Sequence, residues 1–179
     1  MTSVDPKIVS RLRGLIRDVP DFPKPGILFR DITPLLGDYQ AMRDAINQIC
    51  NPYRDAQISK VLGIESRGFL VGALAAVELG VGFVPVRKAG KLPAARISET
   101  YALEYGEDCL EVHSDAVRAS EKVLVVDDLL ATGGTASATV TLARRLGAQV
   151  VACAFLIELS DLGGRKRLPG IDVLTLIRY

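Results

Sequence analysis

The sequence predicts an α/β fold, with a central, mostly parallel sheet of about five strands flanked by helices. Two observations carry this. Short runs rich in Val and Ile recur at "ISKVLGI" (58–64), "FVPVRK" (83–88), "KVLVVDD" (122–128), "VVACAFLIEL" (150–159) and "IDVLTLI" (171–177). Near-continuous apolar runs of this length are those of strands buried on both faces. Between several of them lie helix-like stretches. Residues 68–79 are dense in Ala, Leu and Val, and 134–147 carry Ala136, Val140, Ala143 and Leu146 at three-to-four spacing. Gly80 and Gly147 fall where those helices would end. Strand and helix in alternation lead to a parallel sheet covered on both sides.

The totals bound the rest. A chain of 179 residues fits one domain, 1–179, burying about 70% of the surface its unfolded form exposes. A 49% hydrophobic fraction beside 24% charged residues is that of a folded globular protein. The formal net charge of +1 provides no general attraction to nucleic acid or to an anionic membrane, so no nucleic-acid partner is expected. Any phosphate ligand must then be met by local groups. The longest apolar run, "VVACAFLI" at 150–157, is far short of a membrane helix, and no secretory leader pattern is seen. The expectation is a soluble, cytoplasmic protein with no membrane partner. Cys50, Cys109 and Cys153 are odd in number and widely spaced, which argues against disulfides and a zinc site. His113 has no second histidine to share a metal with and is read as surface or structural.

Two segments break the alternation. In the N-terminal region, 1–38, an expected helix over 5–19 runs into the Pro- and Gly-rich "VPDFPKPGILFRDITPLL". Across 89–115, "TYALEYGEDCLEVH" alternates apolar and polar residues about a glycine, as an antiparallel hairpin does. Ligands of open parallel sheets bind beyond the carboxyl ends of the strands, so these appendages are a candidate hood and a flexible lid.

The chemistry concentrates in "VLVVDDLLATGGT", 123–135. An apolar strand ends in Asp127 and Asp128, and Ala131 to Thr135 turn into a helix beginning near Gly134. Gly133 and Gly134 permit a tight turn and close approach of an anion. Amides from Thr132 to Thr135, with the Thr132 and Thr135 hydroxyls, can point at phosphate oxygens. Neither the GK[ST] ending of a Walker loop nor GxGxxG spacing is present. Two carboxylates directly before a phosphate cradle would repel a bare polyphosphate. They suit sugar hydroxyls, or waters on a divalent cation. The combination describes a ribose 5-phosphate.

This stretch resembles the 5-phosphoribosyl 1-pyrophosphate (PRPP) motif of the type I phosphoribosyltransferases, and Ala131 resembles the adenine-using branch. "DFPKPGILFRDITPLL", "GIESRGFLVG", "VRKAGKLP" and "YALEYG" are similar to that family in the same order, so the likeness spans nearly the whole chain. Glu65 stands where some members carry Asp. The resemblance implies a type I phosphoribosyltransferase fold, a homodimer, Mg2+ carried mainly by PRPP oxygens, and attack of adenine N9 on C1 of PRPP to give AMP and pyrophosphate. Asp127 and Asp128 would hold the ribose, and Ala131, Thr132, Gly133, Gly134 and Thr135 the 5-phosphate. It assigns Glu65, Ser66 and Arg67 to the pyrophosphate, with a non-proline cis peptide between Glu65 and Ser66. Arg87, Lys88 and Lys91 would help from an adjacent, possibly intersubunit, position, although a solvated basic face also describes Lys88 and Lys91.

Related oxopurine enzymes place a carboxylate where this chain has Ala131, and an alanine takes no proton. The resemblance gives that role to Glu104 in "YALEYG", with Tyr105 contacting phosphate. It assigns base recognition to the backbone of Leu28 and to Arg30, with Phe29 as a stacking partner or a core aromatic. Two other readings stay open: a PRPP-sensing regulator of the same fold, and a transferase for another base. The basic "GGRKRL" at 163–168 is read as a solvated turn and helix, because it follows a different strand and lacks a hydroxyl cluster.

Overall fold

The computed structural model describes residues 4–102 and 106–179. Helix α1 spans Pro6–Gly14, opened by the Asp5 carboxylate, which accepts from the Lys7 amide (2.8 Å), and by a proline in its first turn. It is shorter than the expected 5–19. Arg17–Val19 leave the helix as strand β1 and pair antiparallel with β2, Phe29–Asp31, a partner that local spacing does not reveal. After a short α2 (Thr33–Leu36) comes α3, Tyr39–Cys50, which the sequence reading did not single out. Its signals are an Asp38 cap on the Ala41 amide (2.8 Å) and buried Ala41, Ala45 and Ile49 every fourth residue.

The remaining elements follow the expected alternation: β3 (Lys60–Ile64), α4 (Gly68–Leu79), β4 (Gly82–Lys88), the hairpin β5 (Arg96–Ala102) and β6 (Glu107–His113), β7 (Lys122–Leu130), α5 (Gly134–Arg145), β8 (Gln149–Glu158) and β9 (Asp172–Arg178). Their sheet order is β5-β6-β4-β3-β7-β8-β9. The five strands from β4 to β9 are mutually parallel. The hairpin is not a separate appendage, since β6 joins the β4 edge antiparallel through Arg87 opposite Glu111 and Lys88 opposite Leu110.

Strand β7 lies between β3 and β8, and Val123 to Val126 are completely buried. Its side chains alternate between two cores. Leu124 and Val126 pack with residues of α1, α3 and α4, while Val123 and Val125 pack with α5, Phe155 and Leu110. The two-residue period thus builds both layers and delivers the end of β7 to the gap between α4 and α5. Gly80 closes α4 in the left-handed region at φ +68°.

The N-terminal two-strand ribbon is pinned by Asp31. Its carboxylate accepts from Arg17 (2.6 Å), from the Thr33 amide (2.9 Å) and from the Thr33 hydroxyl (2.9 Å). The Thr33 amide, then the Arg17 and Thr33 side chains, lower the Asp31 pKa from 3.8 to about 2. A depressed carboxylate pKa stabilises the fold above its unfolded value and ceases to do so as pH falls through the folded one. The urea midpoints of wild type and Asp31→Asn are therefore expected to differ near neutral pH and to converge as pH falls from 3.8 toward about 2; a pH-independent gap would contradict this.

Candidate active site

At the carboxyl ends of β3, β4 and β7 the chain encloses a cavity of about 480 Å3. Glu65, Ser66, Arg67, Asp127, Asp128, Ala131, Thr132, Gly133 and Thr135 line it, together with Lys88. Segments from the middle and the last third of the chain converge here because β3, β4 and β7 are adjacent parallel strands, whose ends coincide.

The acids do not end the strand, as "KVLVVDD" suggested; β7 continues through Leu129 and Leu130 before the loop. Asp128 is buried (6% exposed), and its Oδ2 accepts from Arg67 Nε at 2.7 Å. Asp127 Oδ1 accepts the Asp128 amide (2.8 Å) and packs against Gly68 so closely that a Cβ there would meet that oxygen. Burial, and then the Asp128 charge, push the Asp127 pKa well above the usual carboxylate range. Asp127 thus keeps its proton to higher pH than an isolated carboxylate would.

The loop after β7 begins α5 without a side-chain cap. Gly133 stands in the left-handed region (φ +81°), and the turn into α5 borders the cavity through Thr132, Gly133 and Thr135. Gly134 does not line the cavity; a Cβ there would lie 3.0 Å from the Tyr101 ring and 3.5 Å from Arg167 Nη1.

On the opposite wall the Glu65–Ser66 peptide is cis, as the resemblance implies. Glu65 Oε2 accepts from Arg87 Nε (3.2 Å) and from the Lys88 amide (3.0 Å). Burial alone would raise the Glu65 pKa, but the Lys88 amide and Arg87 outweigh it and hold it below the usual range. Lys88 Nζ lies 3.1 Å from Asp108 Oδ2, so this lysine is a cavity cation with a partner rather than part of a purely solvated face. Arg87 donates to the Lys91 carbonyl (3.1 Å), whereas the exposed Lys91 side chain does not line the cavity.

The base-recognition segment sits to one side. Leu28 is 46% exposed, and Phe29 meets Phe22 edge-to-face at 5.2 Å. The Arg67 guanidinium carbon lies 5.7 Å from the Phe29 ring centroid, so one arginine stands between Phe29 and Asp128. Arg30 is turned elsewhere: it pairs with Asp18 and stacks 3.8 Å above the Tyr179 ring. Glu104 and Tyr105 lie outside the described residues. Tyr101 and Asp108, which sequence reasoning missed, line the cavity and face each other across the hairpin, their side chains 3.2 Å apart. The alternation in "TYALEYGED" marks them as same-face neighbours, but only the docking of β6 on β4 turns that face toward the loop.

A model of the phosphoribosyl transferase domain matches residues 32–176. Adenine phosphoribosyltransferase of Nostoc punctiforme is 56% identical over 170 residues, covering 94% of this chain and 99% of that one. The chain belongs to the adenine phosphoribosyltransferase family. Among solved structures of the family, that of Rhodothermus marinus is 51% identical with a TM-score of 0.94, over 98% of this chain and 100% of that one. The adenine phosphoribosyl transferase of Trypanosoma brucei, solved with AMP, pyrophosphate and ribose-5-phosphate, is 30% identical with a TM-score of 0.89, over 99% of this chain and 82% of that one. The α/β fold, with its parallel sheet between helices, is that of these adenine phosphoribosyltransferases. "GGRKRL" needs correction in this setting. Lys166 and Arg167 are exposed, but Arg165 is a fork on the buried Glu158, and Gly164 packs against the loop between β7 and α5.

Proposed function

We propose that the protein transfers the 5-phosphoribosyl group of PRPP to N9 of adenine, releasing AMP and pyrophosphate, in purine salvage. The observation that carries this is a single cavity holding the acid pair, the Thr132 to Thr135 loop and the Ser66–Arg67 wall together. It matches one elongated substrate: 5-phosphate on the loop, ribose hydroxyls on Asp127 and Asp128, pyrophosphate beside Ser66 and Arg67. Displacement at C1 builds positive charge on the ribose and negative charge on the leaving group. The acid pair lies beside the first, while Arg67 and Lys88 serve the second.

Among the described residues no three His, Cys, Asp or Glu side chains converge as a metal cage. Of the acid pair, Asp128 is already engaged by Arg67. Mg2+ would be held by PRPP oxygens and waters, with Asp127 and Asp128 as outer partners, and would supply charge neutralisation to the pyrophosphate. Adenine is read by the Leu28 backbone, with Phe29 as the apolar surface beside it. The 1–38 region acts as hood and 89–115 as lid, with Glu104 carrying the proton and Tyr105 a phosphate contact. Leu70, Leu74 and Val77 form an exposed apolar stripe along α4, which supports a homodimer with this stripe at its interface. The reading carries a cytoplasmic location; no helix among the described residues is long and apolar enough to cross a membrane.

Incubation with PRPP, Mg2+ and a panel of bases tests the reaction directly. AMP and pyrophosphate are expected from adenine. Hypoxanthine and guanine should turn over slower by a factor of roughly 10² or more, because a 6-oxo purine reverses the donor and acceptor that the Leu28 backbone offers. Comparable turnover of either would overturn the base assignment, and PRPP binding without product would favour a regulator.

A further inference from the structure

The turn after β8 adjoins the phosphate loop in space although about thirty residues separate them in sequence, and the ion pairs of Glu158 with Arg165 (2.7 Å) and with the more exposed Arg178 (3.2 Å) have no part in the reaction above. Glu158 ends β8 directly opposite Leu130, the last residue of β7 before the loop. The residue is buried, 5% exposed. Arg165 Nε and Nη2 donate to its two oxygens at 2.7 and 2.8 Å, and the Thr175 hydroxyl donates at 2.8 Å. The same guanidinium donates to the Val173 carbonyl (2.8 Å), tying the turn to β9 as well. Only a planar fork satisfies these acceptors at once.

What the fork holds in place is Gly164. A Cβ on Gly133 would collide with the Gly164 carbonyl oxygen and lie 3.1 Å from its Cα. A Cβ on Gly164 would in turn collide with the Ala131 carbonyl and lie 3.0 Å from Leu130 Cδ1. The two backbones therefore touch with no side chain between them, and Gly164 is the rear wall of the loop. We infer that Arg165, locked by Glu158, is a positioning residue that sets the phosphate-binding loop through the Gly164–Gly133 backbone contact. It does not line the cavity. Its effect should fall on the ligand that the loop grips and not on the base, which other segments read. The inference rests on the proposed assignment of the loop to the 5-phosphate.

Arg165→Lys retains the charge and loses the fork. It is expected to raise KM for PRPP, and Kd for ribose 5-phosphate by calorimetry, about fivefold or more, with KM for adenine within about twofold of wild type. Ile177→Val, a cavity-forming change in the buried core of β9, provides a control for general destabilisation. It should lower Tm and leave the ribose 5-phosphate Kd unchanged. Should Arg165→Lys fail to fold, Gly164→Ala carries the same expectation by pushing directly on Ala131. An unchanged ribose 5-phosphate Kd in the folded variant, or an equal rise in Ile177→Val, overturns the inference. Failure of wild type to form AMP while still binding ribose 5-phosphate strikes the proposed reaction instead, and leaves the calorimetric comparison decisive for the loop.

Discussion

Glu104→Gln is expected to lower kcat by a factor of roughly 10² or more, with both KM values changed far less. Transfer to adenine N9 requires the purine to lose or relay a proton, and the loop position that could accept it is Ala131. The described carboxylates of the cavity are otherwise occupied. Glu65 is held by Arg87 and the Lys88 amide, and Asp108 by the Cys109 amide and Lys88; each stays below the usual carboxylate range although burial alone would raise it. Such acids are poor proton acceptors. Asp128 is engaged by Arg67, and Asp127 accepts the neighbouring amide while pressed against Gly68. Asp127 has a raised pKa, through burial and the Asp128 charge; its proposed place is beside the ribose, which leaves the proton on the base side to Glu104. Glutamine preserves the size and hydrogen-bonding reach of Glu104 and removes only its basicity. Rapid chemical quench under single-turnover conditions separates the step from product release; a wild-type rate there would remove Glu104 from the mechanism.

Gly133→Ala is expected to lower kcat/KM for PRPP by a factor of about 10² while KM for adenine stays near wild type. Two physical reasons coincide. At φ +81° an L-residue pays about 1–2 kcal/mol for the left-handed conformation. The new methyl would also strike the Gly164 carbonyl, which is backbone and cannot swing aside as a side chain would. Relief requires the loop or the turn to move, and phosphate-binding amides displaced by about 1 Å lose much of their grip. Steady-state kinetics with each substrate varied in turn checks the prediction. A parallel rise in both KM values would point to general disruption of the cavity.

The difference between what was legible and what was not follows the range of the interactions. Helix α4 lies at the predicted 68–79 because its apolar density and Gly80 are local signals. The β7 acids and the loop were placed for the same reason. The N-terminal helix ends early because Arg17–Val19 find a strand partner at Phe29–Asp31, beyond the reach of local spacing. α3, between the Pro-rich stretch and β3, lies outside the apolar runs that mark the other elements, although its cap and four-residue spacing are present in the sequence. Arg67 was read as a pyrophosphate ligand, but its pairing with Asp128 across sixty residues was not readable. Tyr101, Asp108 and Arg165 were missed or set aside because their importance depends on which surface the hairpin and the last turn are packed against.

Local patterns in the chain suffice for the layered α/β architecture, the strand that carries Asp127 and Asp128, and the Thr- and Gly-rich loop suited to phosphate. These follow from periodicity, glycine conformation and residue chemistry acting over a few positions. Long-range packing places Arg67 between Phe29 and Asp128, turns Arg30 away to Tyr179, and sets Gly164 behind the loop. Those relations arise where parallel strands from distant parts of the chain end side by side, and no local pattern encodes a contact made by packing.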